Sequence, residues 1–207
     1  MVADYSLYFV ADAGFAAGRD LLPLIEAAVR GGVTAVQVRA KDLPVRQFLD
    51  LGRRAADSLK RHNIPLIIND RLDIALACGA AGVHLGQDDM PVSQARKIVG
   101  RRLVLGVSAN NADEALEAER LGADYIGLGP IYATSSKTTD LPLVGEEGIR
   151  RLKGRVRIPL VAIGGITAAN ARAVKEAGAD GIAVISAILG APDPEAAARR
   201  LRTSFPA

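Results

Sequence analysis

Gly122-Ala123-Asp124-Tyr125-Ile126-Gly127 returns as Gly178-Ala179-Asp180-Gly181-Ile182-Ala183, and both phrases mark a point where a helix ends and a strand begins. A glycine supplies the left-handed turn that stops a helix, and the apolar run behind it has the length of a strand. Working outward, β-rich runs recur at Leu7–Asp12, Ala35–Ala40, Leu66–Asn69, Gly82–Leu85, Val104–Ser108, Tyr125–Leu128, Leu160–Ile163 and Gly181–Ile185. Helical patterns lie between them, among them Leu21–Arg30, Val45–His62, Ala112–Leu121, Ala168–Ala177 and Pro194–Leu201. Val, Ile and Leu fill the runs, as strands covered by helices require. Eight such units without a linker predict an α/β fold, a single (β/α)8 TIM barrel over residues 1–207 as one domain. A doubly wound open sheet is the alternative, since it is built from the same right-handed units.

Helix ends carry matching punctuation. Gly31-Gly32, Gly79, Gly100, Gly122 and Gly178 follow helical stretches and predict left-handed C-terminal caps. Thr167 is placed to cap the helix from Ala168, and Asp193-Pro194 to open the last one.

The composition narrows the function. Apolar residues make up 49% of the 207 and charged residues 24%, the profile of one ordinary globular domain. Net charge is +3 and the isoelectric point is near 9.2, which favours small anions. There is no basic stripe or base-reading motif, so nucleic acid is not an expected partner. The lone Cys78 sits in an apolar stretch and reads as a buried structural thiol, in keeping with a reducing compartment. No apolar run is long enough for a bilayer and no basic leader precedes one, so membrane contact is not expected and a cytoplasmic place is.

The polar residues stand where the apolar runs stop, and a parallel barrel gathers all such ends on one rim. Gln37, Arg39 and Lys41 alternate and project to one side, while Val36, Val38 and Ala40 face the covering helices. This reads as an anion-binding prong, against the plainer reading of a solvated strand end. Asp70, after Asn69, and Asp89 each stand close before a helix and are open to reading as caps. They also follow neighbouring strands, which brings two carboxylates to one sector of the rim, an arrangement that suits Mg2+ completed by phosphate oxygens and water. Asp70 and Asp89 are therefore the expected metal ligands, with Asp88 a neighbour.

The segment from Pro130 to about Gly145 carries Thr134, Ser135, Ser136 and Lys137. It reads either as a surface loop or as a cover that brings Lys137 onto phosphate. Gly164-Gly165 and Ile185-Ser186 end the last two strands, where barrels often hold phosphate, although glycines also make simple turns. His84 reads as a hydrogen-bonded core histidine in preference to a catalytic base, and His62 as solvent-facing. No Ser-His-Asp order or reactive-cysteine setting supports nucleophilic catalysis.

Gln37–Lys41, Ile68-Asn69-Asp70-Arg71, Gly82–Asp89, Gly106-Val107-Ser108-Ala109, Gly122–Lys137, Ile163-Gly164-Gly165-Ile166 and Gly178–Ile188 together resemble the thiamine phosphate synthase family over most of the chain. The resemblance implies a Mg2+-dependent transferase. It would join 4-amino-5-hydroxymethyl-2-methylpyrimidine diphosphate to a thiazole phosphate through a pyrimidine carbocation, releasing pyrophosphate. By the same resemblance Asp70 and Asp89 hold the metal, and Arg39, Lys41, Asn69 and Lys137 hold the diphosphate. Gln37 and Ser108 orient the pyrimidine. Thr134, Ser136, Gly165, Ile185 and Ser186 receive the thiazole phosphate.

The chain departs from the family's usual residues at Ala40, where glutamate is common, and at Asn110, Ala133 and Ser136, where histidine, proline and threonine are. A thiazole tautomerase on the same scaffold is the alternative, though it uses a histidine where this chain reads Gly129-Pro130-Ile131. A non-catalytic binder of thiamine intermediates is a third reading, and the sequence leaves a homo-oligomer open.

Overall fold

The computed structural model describes residues 4–134, 136 and 142–206. Eight parallel strands pair in chain order and close on themselves: β1 Leu7–Asp12, β2 Ala35–Arg39, β3 Leu66–Asn69, β4 Gly82–Leu85, β5 Val104–Ala109, β6 Tyr125–Leu128, β7 Leu160–Ile163 and β8 Gly181–Val184. The barrel is therefore closed, and the open sheet is excluded.

Helices surround it: α1 Ala13–Ala16, α2 Leu21–Arg30, α3 Val45–Lys60, α4 Leu72–Cys78, α5 Val92–Val99, α6 Ala112–Arg120, α7 Gly145–Lys153, α8 Ala171–Glu176, α9 Ser186–Leu189 and α10 Pro194–Ser204. Among the described residues no helix is long and apolar enough to cross a membrane.

Alternation along each strand divides the core in two. Val36, Val38 and Ala40 join the apolar layer between strands and helices, whereas Tyr8, Val10, Ala35, Ile67, Tyr125 and Val161 fill the barrel's interior. In α2 the buried Leu21, Ile25 and Ala28 recur at helical spacing, so one stripe seals against the barrel wall. Truncating the fully buried Ile25 to alanine removes packing that cannot collapse, a loss of about 2–5 kcal/mol. The interior is tight as well. A Cβ on Gly106 would lie 2.1 Å from the Tyr125 ring, so the absence of a side chain there admits that ring.

Three details of the punctuation differ from expectation. Gly32, Gly79, Gly100, Gly122 and Gly178 have positive φ, but Gly31 stays right-handed at −77° because the chain reverses one residue later. Residues 168–170 form a turn and α8 starts at Ala171. There Asn170 takes the place expected of Thr167, its Oδ1 accepting from Thr167 N at 2.8 Å. Asp193 does cap α10, accepting from Ala196 N at 3.0 Å with Pro194 behind it. Cys78 is buried, and burial pushes its thiol above the usual range.

Candidate active site

Parallel strands bring their C-terminal ends to one rim, and the polar strand ends collect there. In the β1–β2 register Asp12 lies directly opposite Arg39. The buried Asp12 carboxylate accepts from Arg39 Nη1, and its other oxygen accepts from Phe15 N at 2.9 Å, capping α1. Arg39 is thus held from below with its chain partly open to the rim. Lys41 Nζ stands 3.5 Å from Asp70 Oδ2, and a hollow brings Lys41 together with Asn69 and Asp70.

Neither candidate metal acid is a helix cap. Arg71 and Pro91 occupy the cap positions of α4 and α5, and neither helix has a side-chain cap bond. Asp70 instead adopts a left-handed backbone, φ 61°, and its N–H donates to His84 O at 2.8 Å, bridging β3 to β4. Asp89 turns back so that its Oδ2 accepts from Gly86 N at 2.7 Å.

The two side chains meet through a hydrogen bond. Burial, that bond and the charge of Asp89 push Asp70 up to about 6, with Lys41 opposing. Burial works against ionising Asp89, but the bond from Asp70, the Gly86 amide and Lys41 outweigh it and hold Asp89 below the usual carboxylate range. Two carboxyls that share a proton offer hard oxygen donors in one place. Among the described residues no cluster of three or more metal-ligating side chains occurs, so a cation here would need further oxygens from water or substrate. That donor set fits Mg2+, which is commonly held by one or two carboxylates plus phosphate.

Across the rim, a cleft of roughly 750 Å³ including its mouth gathers Ser108, Thr134, Ser136, Gly165, Ile185 and Ser186. Gly165 has φ 64°, and a Cβ there would come within 2.5 Å of Ala133 O, so glycine is needed for the backbone to pass. Asn170 Nδ2 steadies this turn by donating to Gly165 O at 3.0 Å. In α9 the first helical bonds run from Ile188 and Leu189 to Ile185 O. The Ser186 and Ala187 amides lie ahead of them, where partial positive charge favours an anion.

Between the two halves runs a buried polar chain. Gln37 Nε2 donates to Tyr8 OH at 3.0 Å, and Tyr8 OH lies 2.8 Å from Tyr125 OH. Tyr125 OH is 2.9 Å from His84 Nδ1, and His84 Nε2 is 2.9 Å from Ser108 Oγ. Burial raises both tyrosines well above the usual phenol range, so both stay protonated donors. His84 is thus the bonded core histidine expected of it, and His62 is exposed.

The rim therefore brings together Gln37, Arg39, Lys41, Asn69, Asp70 and Asp89 on one side and Ser108, Thr134, Ser136, Gly165, Ile185 and Ser186 on the other. Lys137 and Ser135 lie outside the described residues. Sequence reading missed Asp12, Tyr8 and Tyr125. Asp12 ends an apolar run as the other polar residues do, and that signal was available. The tyrosines gave none, since inside a strand they look like any aromatic core residue. The buried Ala40 faces the helices, and the cations beside it are held by Asp12 and Asp70, so an acid at position 40 is not needed to orient them.

Over nearly its whole length the chain is similar to known proteins. The family profile described as thiamine monophosphate synthase matches residues 7–188. The thiamine-phosphate synthase of Chloroflexus aurantiacus is 52% identical over 201 residues, covering 97% of this chain and 93% of the relative. That of Syntrophomonas wolfei is 48% identical, with 97% and 96% covered. The solved thiamine phosphate pyrophosphorylase of Pyrococcus furiosus superposes with a TM-score of 0.91 at 39% identity, covering 98% of this chain and 96% of that one. With the profile spanning nearly the whole barrel and relatives matched end to end, this chain belongs to the thiamine monophosphate synthase family.

Proposed function

We propose that the chain joins 4-amino-5-hydroxymethyl-2-methylpyrimidine diphosphate to a thiazole phosphate in a Mg2+-dependent transfer, with Asp70 and Asp89 holding the metal. The observation that carries this reading is the pair of half-buried carboxyls bridged by a hydrogen bond beside Lys41. They stand on the same rim as a glycine-walled cleft suited to phosphate.

The reaction breaks the bond between the pyrimidine methylene and the diphosphate oxygen, and the electron pair leaves with pyrophosphate. The thiazole nitrogen then gives its lone pair to the methylene carbon, so no proton must be removed and no strong base is called for. Magnesium, when bound, would offset the charge that gathers on the leaving group. Arg39, Lys41 and Asn69 donate to the diphosphate oxygens, and by family resemblance Lys137 joins them. Asp12 keeps the Arg39 guanidinium aimed, so that little reorganisation accompanies bond cleavage.

Gln37 and Ser108 orient the pyrimidine ring from opposite ends of the buried chain. Thr134, Ser136 and the backbone at Gly165, Ile185 and Ser186 take the thiazole phosphate, which brings its nitrogen toward the methylene carbon. A cytoplasmic place suits such phosphorylated intermediates.

The test is to mix the purified chain with both substrates and Mg2+ and to follow thiamine phosphate and pyrophosphate by chromatography. Equal amounts of both products, lost on chelation, are expected. A folded chain that binds thiazole phosphate but forms no product would contradict the reading.

A further inference from the structure

The chain of five side chains beneath the site is more than packing, because its hydrogens can be counted. Gln37 and Ser108 sit at its two ends; Tyr8, Tyr125 and His84 lie between them, with exposures of 1%, 0% and 8%. Gln37 Nε2 donates into Tyr8 OH at 3.0 Å. Tyr8 OH lies 2.8 Å from Tyr125 OH, and among the described residues that oxygen is the acceptor within reach of the Tyr8 hydrogen once Gln37 donates from the other side. With the Tyr8 hydrogen on Tyr125, the acceptor among the described residues for the Tyr125 hydrogen is His84 Nδ1, at 2.9 Å. A neutral imidazole that accepts at Nδ1 carries its hydrogen on Nε2, and Nε2 faces Ser108 Oγ at 2.9 Å. In that tautomer Ser108 accepts from the histidine, and its own hydrogen points elsewhere.

We infer that Tyr8, Tyr125 and His84 are positioning residues that give the pyrimidine subsite a fixed polarity, with an acceptor at Gln37 and a donor at Ser108. The inference rests on the reading above that Gln37 and Ser108 hold the pyrimidine. Gln37 has used an N–H below and keeps its Oε1 for the ligand, while Ser108 keeps its O–H. The complementary ligand offers a donor to Gln37 and an acceptor to Ser108, as an exocyclic amine and a ring nitrogen do. A pyrimidine with an oxo group at that carbon and N–H at the ring presents the reverse order. It would face acceptor with acceptor and donor with donor, and a buried mismatch of that kind is strongly disfavoured.

Reversing the polarity would require the Gln37 amide to turn over, both phenol hydrogens to swing round and the imidazole hydrogen to move from Nε2 to Nδ1 together. Tight walls keep the rings themselves in register with one another. A Cβ on Gly106 would strike the Tyr125 ring at 2.1 Å, and one on Gly127 would lie 3.0 Å from His84 Cε1. Tyr5 packs on Tyr125 with centroids 4.6 Å apart.

Two measurements test this together. The chain has only two histidines, so 15N-histidine labelling with a His62→Gln control assigns His84 in a long-range 1H–15N spectrum. The expected form carries hydrogen on Nε2; hydrogen on Nδ1 would overturn the inference. Binding of the aminopyrimidine diphosphate, its oxo analogue, inorganic pyrophosphate and thiazole phosphate is then measured for the parent and for Tyr125→Phe. Tyr8→Phe serves as a second variant. The expected result is an aminopyrimidine affinity about tenfold weaker and a narrowed preference over the oxo analogue, the scale of one oriented hydrogen bond. The other two ligands should stay within about twofold, a margin well below one such bond.

An equal loss for all four ligands would mark a merely structural role and contradict the proposal, as would an unchanged aminopyrimidine affinity. A parent that does not distinguish the two pyrimidines would remove the pyrimidine reading itself. Hydrogen on Nδ1 with that preference intact would refute the polarity argument alone.

Discussion

Replacing Asp12 by asparagine separates the two duties this carboxylate performs. One oxygen caps α1 through Phe15 N at 2.9 Å, and asparagine keeps that acceptor. The other oxygen receives Arg39 Nη1, and the asparagine NH2 turns a donor toward that donor. A hydrogen bond to a charged group contributes roughly 1.5–3 kcal/mol. The Arg39 side chain is 24% exposed, so water recovers part of it. A net loss of about 1–2 kcal/mol follows, or roughly 2–8 °C in Tm for a chain of this size.

If Arg39 steadies the leaving diphosphate, a similar loss in the transition state lowers kcat about 5- to 30-fold. Pyrophosphate release under saturating substrates reads the rate, and thermal unfolding reads stability. In an Arg39→Ala background the same change should have little further effect on kcat, because the group it positions is gone. An Asp12→Asn variant with parental kcat would refute the positioning argument, as would an equal fall in the Arg39→Ala background.

Other outcomes follow from the same rim. In metal-free protein Asp70 is pushed up to about 6 from an unfolded value of 3.8. Its contribution therefore favours the fold below the unfolded value and is lost as pH rises through about 6. With chelator present, Asp70→Asn should be more stable than the parent at pH 7 and level with it at pH 4, as read by thermal melts. For the same reason Mg2+ binding should weaken as pH falls through about 6, where protons compete for Asp70, and titration calorimetry at several pH values checks this. Gly165→Ala places a Cβ 2.5 Å from Ala133 O in a left-handed backbone, a strain of about 1–2 kcal/mol before the clash. Its thiazole phosphate affinity should fall about tenfold or more while pyrophosphate binding holds, by calorimetry.

Much of the barrel was legible because its strands obey one repeated local rule. All eight expected strands have the observed limits or differ only at their last residue, and Gly122 and Gly178 turn left-handed where the repeated phrase placed them. The rim was legible for the same reason, since polar residues at strand ends must share it. The caps at Thr167 and Gly31 were not, because Asn170 and Gly32 stand close by and compete for the same turns. Whether Asp70 and Asp89 were caps was undecidable from spacing alone, and the answer lay in a left-handed backbone at one and a turn back to Gly86 at the other. The tyrosine chain was invisible because it joins β1, β2, β4, β5 and β6 across the barrel interior, contacts that no local pattern encodes.

The central claim is that Asp70 and Asp89 hold a magnesium ion onto which the diphosphate docks. Calorimetric titration of inorganic pyrophosphate, with Mg2+ or with chelator, tests it in the parent and in Asp89→Asn, whose remaining oxygen can still accept from Gly86 N. The account predicts tight binding only with Mg2+ in the parent, and a loss of at least about tenfold in the variant with thiazole phosphate affinity unchanged. Equal pyrophosphate affinity with and without the metal, or a variant that binds as the parent does, would contradict it.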